Sequence, residues 1–287
     1  MNAESPPRPL STVTALPAER DGNRVGRAEL LLAQWSRGVG EIMPVLRKPG
    51  FEDAVLHAVR RLVDFCFVMS FAYAGHDRPS ALGDTLTAQR RKLIVHDYLA
   101  GAYMLDPFAQ QANAGVRSGC FRLLDLAPDR FRQSEYYRLH YGLTGIREEI
   151  GFFFPMPGAA VGVLSLTRWA DAPPLARREL SILKLIEPAL GALCAEHYAA
   201  QSAVRLAPSD DPPPPFTQAY QQFGGKLLSE REREIVALVL QGHSTESIAG
   251  RLDISPGTVK IHRRNIYRKL GIGTQAGLFA SFLRFIA

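Results

Sequence analysis

The chain has 287 residues, of which 46% are hydrophobic and 22% are charged. This length favours two domains that each bury a core of their own, and no apolar run approaches the roughly 18 residues that a membrane-spanning helix needs. The cysteines Cys66, Cys120 and Cys194 are far apart, which indicates neither a zinc site nor a disulfide framework and is typical of the reducing cytoplasm.

The net charge of +6 is concentrated near the C-terminus. Residues 224–287 hold ten Lys and Arg against five Asp and Glu, whereas the preceding residues hold 24 against 23. After Asp253 there are six basic residues and no acidic one. Surface charge is often uneven, but a segment of this kind attracts the phosphates of nucleic acid.

The first 200 residues predict an α+β domain. Residues 1–25 contain four prolines and no apolar segment, so we expect a disordered tail rather than a signal peptide. Helices are predicted at 26–48, 51–63, 89–104, 108–114, 129–141 and 173–199, and strands at 65–74, 81–88, 120–126, 148–155 and 161–168. This order indicates helices packed on an antiparallel sheet and not the alternation of a doubly wound fold.

A proline-rich stretch separates this predicted domain, residues 26–200, from the C-terminal part. Four consecutive prolines follow Asp210 and Asp211, a composition typical of an extended, semi-rigid linker. We place the linker at residues 201–223 and a second domain at residues 224–287.

The second domain predicts short amphipathic helices with clear start signals. Ser229 and Glu232 form a capping box, and Ser244 caps the next helix. Two helices joined by a tight turn, the second of them basic, make a helix-turn-helix over about Ser244 to Arg263. A last helix, residues 274–287, has one apolar stripe for its own core and a second, with Leu278 and Phe285, that we expect to contact a partner subunit.

The basic helix spans residues 255–271. Ser255 fits its N-cap, Pro256 its first turn and Gly271 its left-handed end. One face is apolar, and a second stripe carries Lys260, Ile261, Arg264 and Arg268. Such a stripe suits the DNA major groove, where cations meet phosphates and base acceptors and an apolar side chain meets the thymine methyl group.

Three segments, Leu228–Val236, Gly242–Ala249 and Leu252–Gly271, closely resemble the LuxR/FixJ class of bacterial helix-turn-helix regulators. The resemblance implies a four-helix domain that binds double-stranded DNA, usually as a homodimer. It implies base contacts for Lys260, Ile261 and Arg264, and DNA-backbone contacts for Thr258, Arg263 and Arg268. Lys269 is either a further DNA contact or a solvated cation at the helix end, and the sequence favours neither interpretation. We interpret His262 as a packed residue.

The N-terminal part predicts no enzyme, metal site or cofactor site. Its histidines lack ligand spacing, Ser165 is outside a nucleophile-elbow motif, and no glycine-rich phosphate loop follows a strand. Glu148 and Glu149 resemble a catalytic carboxylate pair, but we interpret them as surface charges. Its many tyrosines are more informative, because they form core or line a ligand cavity of mixed polarity.

Two further segments, Tyr98–Pro107 and Gly151–Ser165, resemble parts of autoinducer-binding domains. This likeness implies a GAF/PAS-like α-β-α sandwich and a LuxR protein without a dedicated signal synthase. If the tyrosines line a ligand cavity, Asp106 is a natural anchor there for an amide or amine. Leu93 and Asp97 replace the family's pocket Trp and Tyr, so lactone specificity does not carry over. The expected ligand-binding residues are Tyr98, Tyr103, Asp106, Phe121, Tyr137 and Gly151.

These features favour a homodimeric transcriptional regulator controlled by a small molecule. The alternative is a ligand-independent regulator whose first domain only dimerises or binds a protein. An enzyme with an appended DNA-binding domain has the least support.

Overall fold

A five-stranded antiparallel sheet forms the centre of the N-terminal module in this computed structural model, which describes residues 22–75, 78–199, 219–220 and 222–286. The strands are β1 (Phe67–Tyr73), β2 (Ser80–Asp84), β3 (Gly119–Arg122), β4 (Ile146–Pro155) and β5 (Val161–Trp169). Their order across the sheet is β2-β1-β5-β4-β3. Every residue of the interior strand β1 is buried, which requires cover on both faces of the sheet.

Helices cover the two faces of this sheet. One face packs on α1 (Gly22–Ile42), α2 (Phe51–Arg60) and α8 (Arg177–Tyr198) through side chains such as Val68 and Leu164. The other face, with Phe71 and Tyr73, packs on the segment between β2 and β4. The helices of that segment are α3 (Ala88–Arg91), α4 (Asp97–Leu99), α5 (Pro107–Asn113), α6 (Leu123–Leu126) and α7 (Gly142–Thr144). The predicted α+β class and the α-β-α sandwich are confirmed.

The helix predicted at 89–104 is not regular. A π-helical turn, Lys92–His96, separates α3 from α4, and Gly101 at φ 147° ends the run before a 3₁₀ turn at Ala102–Leu105. The wider turn brings Ile94, Val95 and Tyr98 to the interior together.

Other predicted bounds in this segment are wrong for local reasons. The strand predicted at 120–126 ends at Arg122, because the adjacent apolar residues that follow break the period of two and form α6. The strand predicted at 81–88 ends at Asp84, since the Thr87 hydroxyl caps α3. The helix predicted at 129–141 begins only after Ser134 and contains a second π-helical turn, Tyr137–Tyr141.

The predicted tail and linker fall largely outside the described residues. Helix α1 begins at Gly22, so the last four residues of the expected tail are helical instead. Residues 201–218 of the expected linker are not described. The end of that stretch is packed, since Ala219, Tyr220 and Phe223 are buried.

The C-terminal module is a four-helix domain of α9 (Glu230–Gln241), α10 (Thr245–Leu252), α11 (Pro256–Leu270) and α12 (Gln275–Ile286). Its core holds Ile235, Ile248, Val259 and Ile266. The prediction that Leu278 on the last helix contacts a partner subunit is wrong, because this side chain is buried within the chain. Phe285 remains 44% exposed.

Candidate nucleic-acid interface and regulatory cavity

The predicted capping signals of the helix-turn-helix are confirmed. Ser244 Oγ accepts the Ser247 amide at 3.0 Å, and Ser255 Oγ accepts the Thr258 amide at 3.0 Å. Asp253 makes the turn at φ 53°, and Gly271 ends α11 at φ 65°. These local bonds satisfy backbone groups that helix ends otherwise leave unpaired, and they fix the direction of α11.

Helix α11 presents a basic face to solvent. Val259 and Ile266 are buried on its inner side, whereas Lys260, Ile261 and Arg264 are exposed on the outer side. Ile261 is 51% exposed and lies between two cations. An apolar side chain in this setting is suited to a thymine methyl group in the major groove.

The three residues predicted to contact the DNA backbone make hydrogen bonds with neighbouring side chains of the protein. Thr258 Oγ1 lies 2.8 Å from Ser255 Oγ, and half-buried Arg263 donates to Tyr267 Oη and Gln275 Oε1. Exposed Arg268 donates to Asn265 Oδ1 at 3.3 Å. These contacts hold the three side chains along the edge of α11 next to its exposed face.

Lys269 has a structural partner. Its Nζ lies 2.6 Å from the buried Glu232 carboxylate, which also accepts the Ser229 amide in the capping box. Burial alone would raise the pKa of Glu232, but the bonds from Lys269 and Ser229 hold it below its ordinary value. Lys269 therefore joins α11 to α9.

A cavity of about 340 Å³ lies between the N-terminal module and α12. Its walls carry more apolar than polar surface. The lining residues are Leu93, Asp97, Ala100, Gly101, Ala102, Tyr136, His140, Leu143, Thr144, Phe279 and Leu283. Both irregular π-helical turns contribute to this wall, through Leu93 and His140, and Phe279 and Leu283 belong to the DNA-binding module.

None of the six expected ligand-binding residues lines this cavity. Tyr98 donates to Asp106 Oδ2 at 2.6 Å and lies 2.7 Å from Tyr73 Oη. Asp106 also caps α5 through the Phe108 amide. The ring of Tyr98 lies 5.8 Å from the ring of His140, which does line the cavity. Tyr98 and Asp106 therefore form a layer behind the cavity wall.

The other expected residues lie farther along the same sheet face or its cover. Tyr103 is buried with its ring 6.3 Å from that of Tyr98. Phe121 packs edge-on against Phe153. Tyr137 stacks on Tyr141 at 5.2 Å. Gly151 lies under Phe108, since a Cβ there would come within 2.9 Å of that ring.

The interpretation of Glu148 and Glu149 as surface charges is wrong. Both are buried, and because they are adjacent on β4 they point to opposite faces. Glu148 pairs with Arg122 at 2.5 Å. Glu149 accepts from Tyr141 Oη at 2.7 Å and joins the layer of Tyr98 and Asp106 behind the cavity.

The two modules are joined by direct contacts. The Ser244 amide donates to Asp129 Oδ1 at 3.0 Å, and the Arg130 amide donates to the Gly242 carbonyl at 3.1 Å. Tyr220 Oη donates to the Met104 carbonyl at 3.2 Å. The turn between α9 and α10 thus rests on the loop that precedes the second π-helical turn.

Within the described ranges, no three His, Cys, Asp or Glu side chains are grouped to hold a metal ion. No helix among the same residues is long and apolar enough to cross a membrane.

Comparisons with known proteins agree with this architecture. The model of the GerE family, bacterial regulatory proteins of the luxR family, matches residues 226–280. An Aeromonas salmonicida protein, described as "Putative HTH-type transcriptional regulator in exeN 3'region", is 36% identical over 184 residues, which cover 62% of this chain and 93% of that protein. The transcriptional regulatory protein MctR of Rhizobium johnstonii is 46% identical over 55 residues, 19% of this chain and 26% of its own length.

Among solved structures, the VqsR LBD domain from Pseudomonas aeruginosa has a TM-score of 0.50 and 20% identity over 57% of this chain and 95% of that chain. This likeness concerns the fold of the N-terminal module. The Aeromonas salmonicida relative is covered almost completely, and the basic helix α11 lies within the matched luxR-family segment. The chain therefore belongs to the LuxR family of bacterial regulatory proteins and is a DNA-binding transcriptional regulator.

Proposed function

We propose that a small molecule bound in the cavity controls the DNA binding of this regulator. The observation that carries the proposal is the shared wall: nine lining residues come from the N-terminal module, and Phe279 and Leu283 come from α12. A ligand in this position touches both modules at once. Its contacts change when α12 moves, so it favours one placement of the DNA-binding module over others.

The free energy available for this control equals the difference in ligand affinity between the two placements. A coupling of about 1–3 kcal/mol changes affinity for DNA roughly 5- to 150-fold. The two π-helical turns support the location, because such turns occur frequently at functional sites. In this arrangement, the six residues expected to bind the ligand support the cavity wall from behind or belong to the core. They are Tyr98, Tyr103, Asp106, Phe121, Tyr137 and Gly151.

On the DNA side, we assign base contacts to Lys260, Ile261 and Arg264. Thr258, Arg263 and Arg268 are assigned to the DNA backbone. A two-fold homodimer presents its recognition helices about 34 Å apart, one turn of DNA. Exposed leucines on the N-terminal module, Leu30, Leu32 and Leu185, support a dimer contact through α1 and α8.

The test uses the full chain and an operator selected from random DNA. Ala102→Phe fills the cavity, and Ala276→Phe adds the same ring to an exposed position of α12 outside it. A controlling ligand raises the melting temperature of the wild type and of Ala276→Phe, leaves Ala102→Phe unchanged, and alters operator affinity by about fivefold or more. Absence of any such compound from a broad metabolite library favours the ligand-independent regulator instead.

A further inference from the structure

The N-terminal module covers the start of α10, the first helix of the helix-turn-helix. Ser244 and Thr245, which begin this helix, are both buried. A Cβ on Gly242, just before them, would come within 3.1 Å of the Phe131 Cα and 3.2 Å of the Ser134 Cβ. The segment at residues 128–134 of the N-terminal module therefore lies directly on this helix end.

An acidic side chain of the 128–134 segment bonds to the helix end. Asp129 Oδ1 accepts the Ser244 amide at 3.0 Å, and the Arg130 amide donates to the Gly242 carbonyl at 3.1 Å. Burial alone would raise the pKa of Asp129, but its hydrogen bonds with Ser244 hold it below the ordinary value. An ionised carboxylate thus stands at the positive end of the α10 dipole.

This helix end is also where DNA phosphate belongs in a helix-turn-helix complex. When the second helix lies in the major groove, the first helix crosses the DNA backbone. The free amides of a helix N-terminus are ready ligands for phosphate oxygens. The Asp129 carboxylate occupies that place, and its negative charge repels an approaching phosphate. The base-reading stripe of α11 stays exposed, but one backbone contact beside it is closed.

The cavity exists in this same docked arrangement. Tyr136 and His140, which follow the 128–134 segment in the chain, form one part of its wall, and Phe279 and Leu283 of α12 form another. If the DNA-binding module moves away from Asp129, these two parts of the wall separate. A ligand that contacts both parts therefore favours the docked arrangement over the open one.

We propose that the docked arrangement is the DNA-free state of this regulator, in which Asp129 takes the place of a DNA phosphate at the start of α10, and that a ligand in the cavity holds this state and lowers operator affinity. The sign of ligand control rests on the proposed function. The autoinhibitory contact of Asp129 does not, so it is tested without ligand.

The first test titrates the full chain with its selected operator in the absence of ligand. Asp129→Asn keeps the shape of the side chain and removes its charge, and Asp129→Ala removes the hydrogen bond as well. Both variants are expected to bind operator about 2- to 10-fold more tightly than wild type, the factor that one hydrogen bond is worth. Asp125→Ala, an exposed acid on α6, controls for a general loss of negative charge. Autoinhibition is wrong if neither Asp129 variant gains affinity or if Asp125→Ala gains as much.

The second test needs no variant. Amide hydrogen exchange is measured on wild type with and without operator. Operator binding should release the Arg130 amide from the Gly242 carbonyl, so exchange in a peptide that spans residues 128–134 should rise. Unchanged or slower exchange means that the docked arrangement itself binds DNA, which overturns the autoinhibitory contact.

The sign of ligand control is tested with the compounds that raise the melting temperature of wild type but not of Ala102→Phe. Each should lower operator affinity. A compound that raises operator affinity leaves ligand control standing and shows that its sign is wrong. If no compound acts through the cavity, the proposed function and the sign are both wrong, whereas the two ligand-free measurements still decide the role of Asp129.

Discussion

Arg264 is one of the three residues of α11 that we propose to contact bases. It is exposed beside Lys260 and Ile261 and makes no described ion pair. An arginine that contacts both guanine acceptors is worth about 1–3 kcal/mol of discrimination. We therefore expect Arg264→Ala to weaken operator binding by that amount and to relax specificity at one base pair, as measured by fluorescence anisotropy on a set of single-base operator variants.

Lys269→Ala is the matched control for this substitution. It removes a cation from the same helix, but that cation is held by Glu232. The expected result is a lower unfolding free energy with base preference unchanged. If Arg264→Ala weakens binding equally on all DNA sequences, the arginine contacts phosphate only, and its base-reading role is wrong.

Glu149 makes stability depend on pH. Burial, followed by the nearby charge of Asp106, raises the pKa of Glu149 to about 7, and burial raises that of Asp106 to about 6. Between about pH 4.5 and 7 the folded chain keeps protons that the unfolded chain has released, so the unfolding free energy falls as pH rises. Buried His140 has the opposite effect, because its pKa is lowered to about 4, but that effect is complete near pH 6.5, the value in the unfolded chain.

We expect Glu149→Gln to gain stability relative to wild type, by on the order of 1–3 kcal/mol, as pH rises from about 5 to 8. Urea unfolding at several pH values measures the difference and cancels the contributions of the histidines. Burial raises the pKa of the tyrosines that face the same layer above the ordinary tyrosine value, so they do not titrate between about pH 5 and 8. These tyrosines are Tyr73, Tyr98, Tyr136 and Tyr141. If the unfolding free energies of wild type and Glu149→Gln differ by the same amount throughout this pH range, the pKa of Glu149 is not raised.

The exposed basic face of α11 could be predicted from the sequence, and the burial of Glu149 could not. A helix has a fixed period, so the spacing of Val259, Lys260 and Arg264 determines which side chains share a face. Glu148 and Glu149 are adjacent on a strand and must point to opposite faces, but the sequence does not tell whether each face is covered. Their burial depends on helices that lie tens of residues away.

At the scale of elements, helix ends were predictable and irregular turns were not. The caps at Ser229, Ser244 and Ser255 depend on bonds within four residues, which short motifs encode. The π-helical turns at 92–96 and 137–141 carry no comparable motif. Both turns carry buried side chains, Ile94 and Val95 in the first and His140 and Tyr141 in the second, so their shape depends on tertiary packing that no short motif encodes.

Gly242 and Gly271 both end helices in the left-handed region, at φ 100° and φ 65°. A Cβ at Gly271 meets nothing within 4 Å, whereas one at Gly242 comes within 3.1 Å of the Phe131 backbone across the module boundary. We expect Gly271→Ala to cost about 1–2 kcal/mol through backbone strain alone. Gly242→Ala should cost more and separate the modules.

Limited proteolysis distinguishes these two outcomes. Gly242→Ala should be cleaved between the modules faster than wild type, and Gly271→Ala should be cleaved there at the wild-type rate. Equal cleavage rates in the two variants would show that the contact between Gly242 and Phe131 does not hold the modules together.

For the whole molecule, the proposed ligand control predicts that the contacts between modules determine how strongly ligand binding and DNA binding are coupled. Asp129 and Tyr220 each supply a hydrogen bond across the boundary, to the Ser244 amide and the Met104 carbonyl. Neither side chain lines the cavity or belongs to the exposed face of α11. Without these two hydrogen bonds, the DNA-binding module should move more independently of the N-terminal module.

The double variant Asp129→Ala/Tyr220→Phe leaves helix α11 intact. We therefore expect it to bind operator in the absence of ligand but to lose most of the proposed ligand-dependent change in affinity. Two cross-boundary hydrogen bonds amount to about 1–3 kcal/mol, which is comparable to a typical coupling free energy. Operator titrations with and without saturating ligand measure that coupling, and Asp125→Ala, an exposed acid on α6, controls for loss of charge. An unchanged ratio of the two affinities means that the ligand acts by another route, such as a change in the geometry of the proposed homodimer.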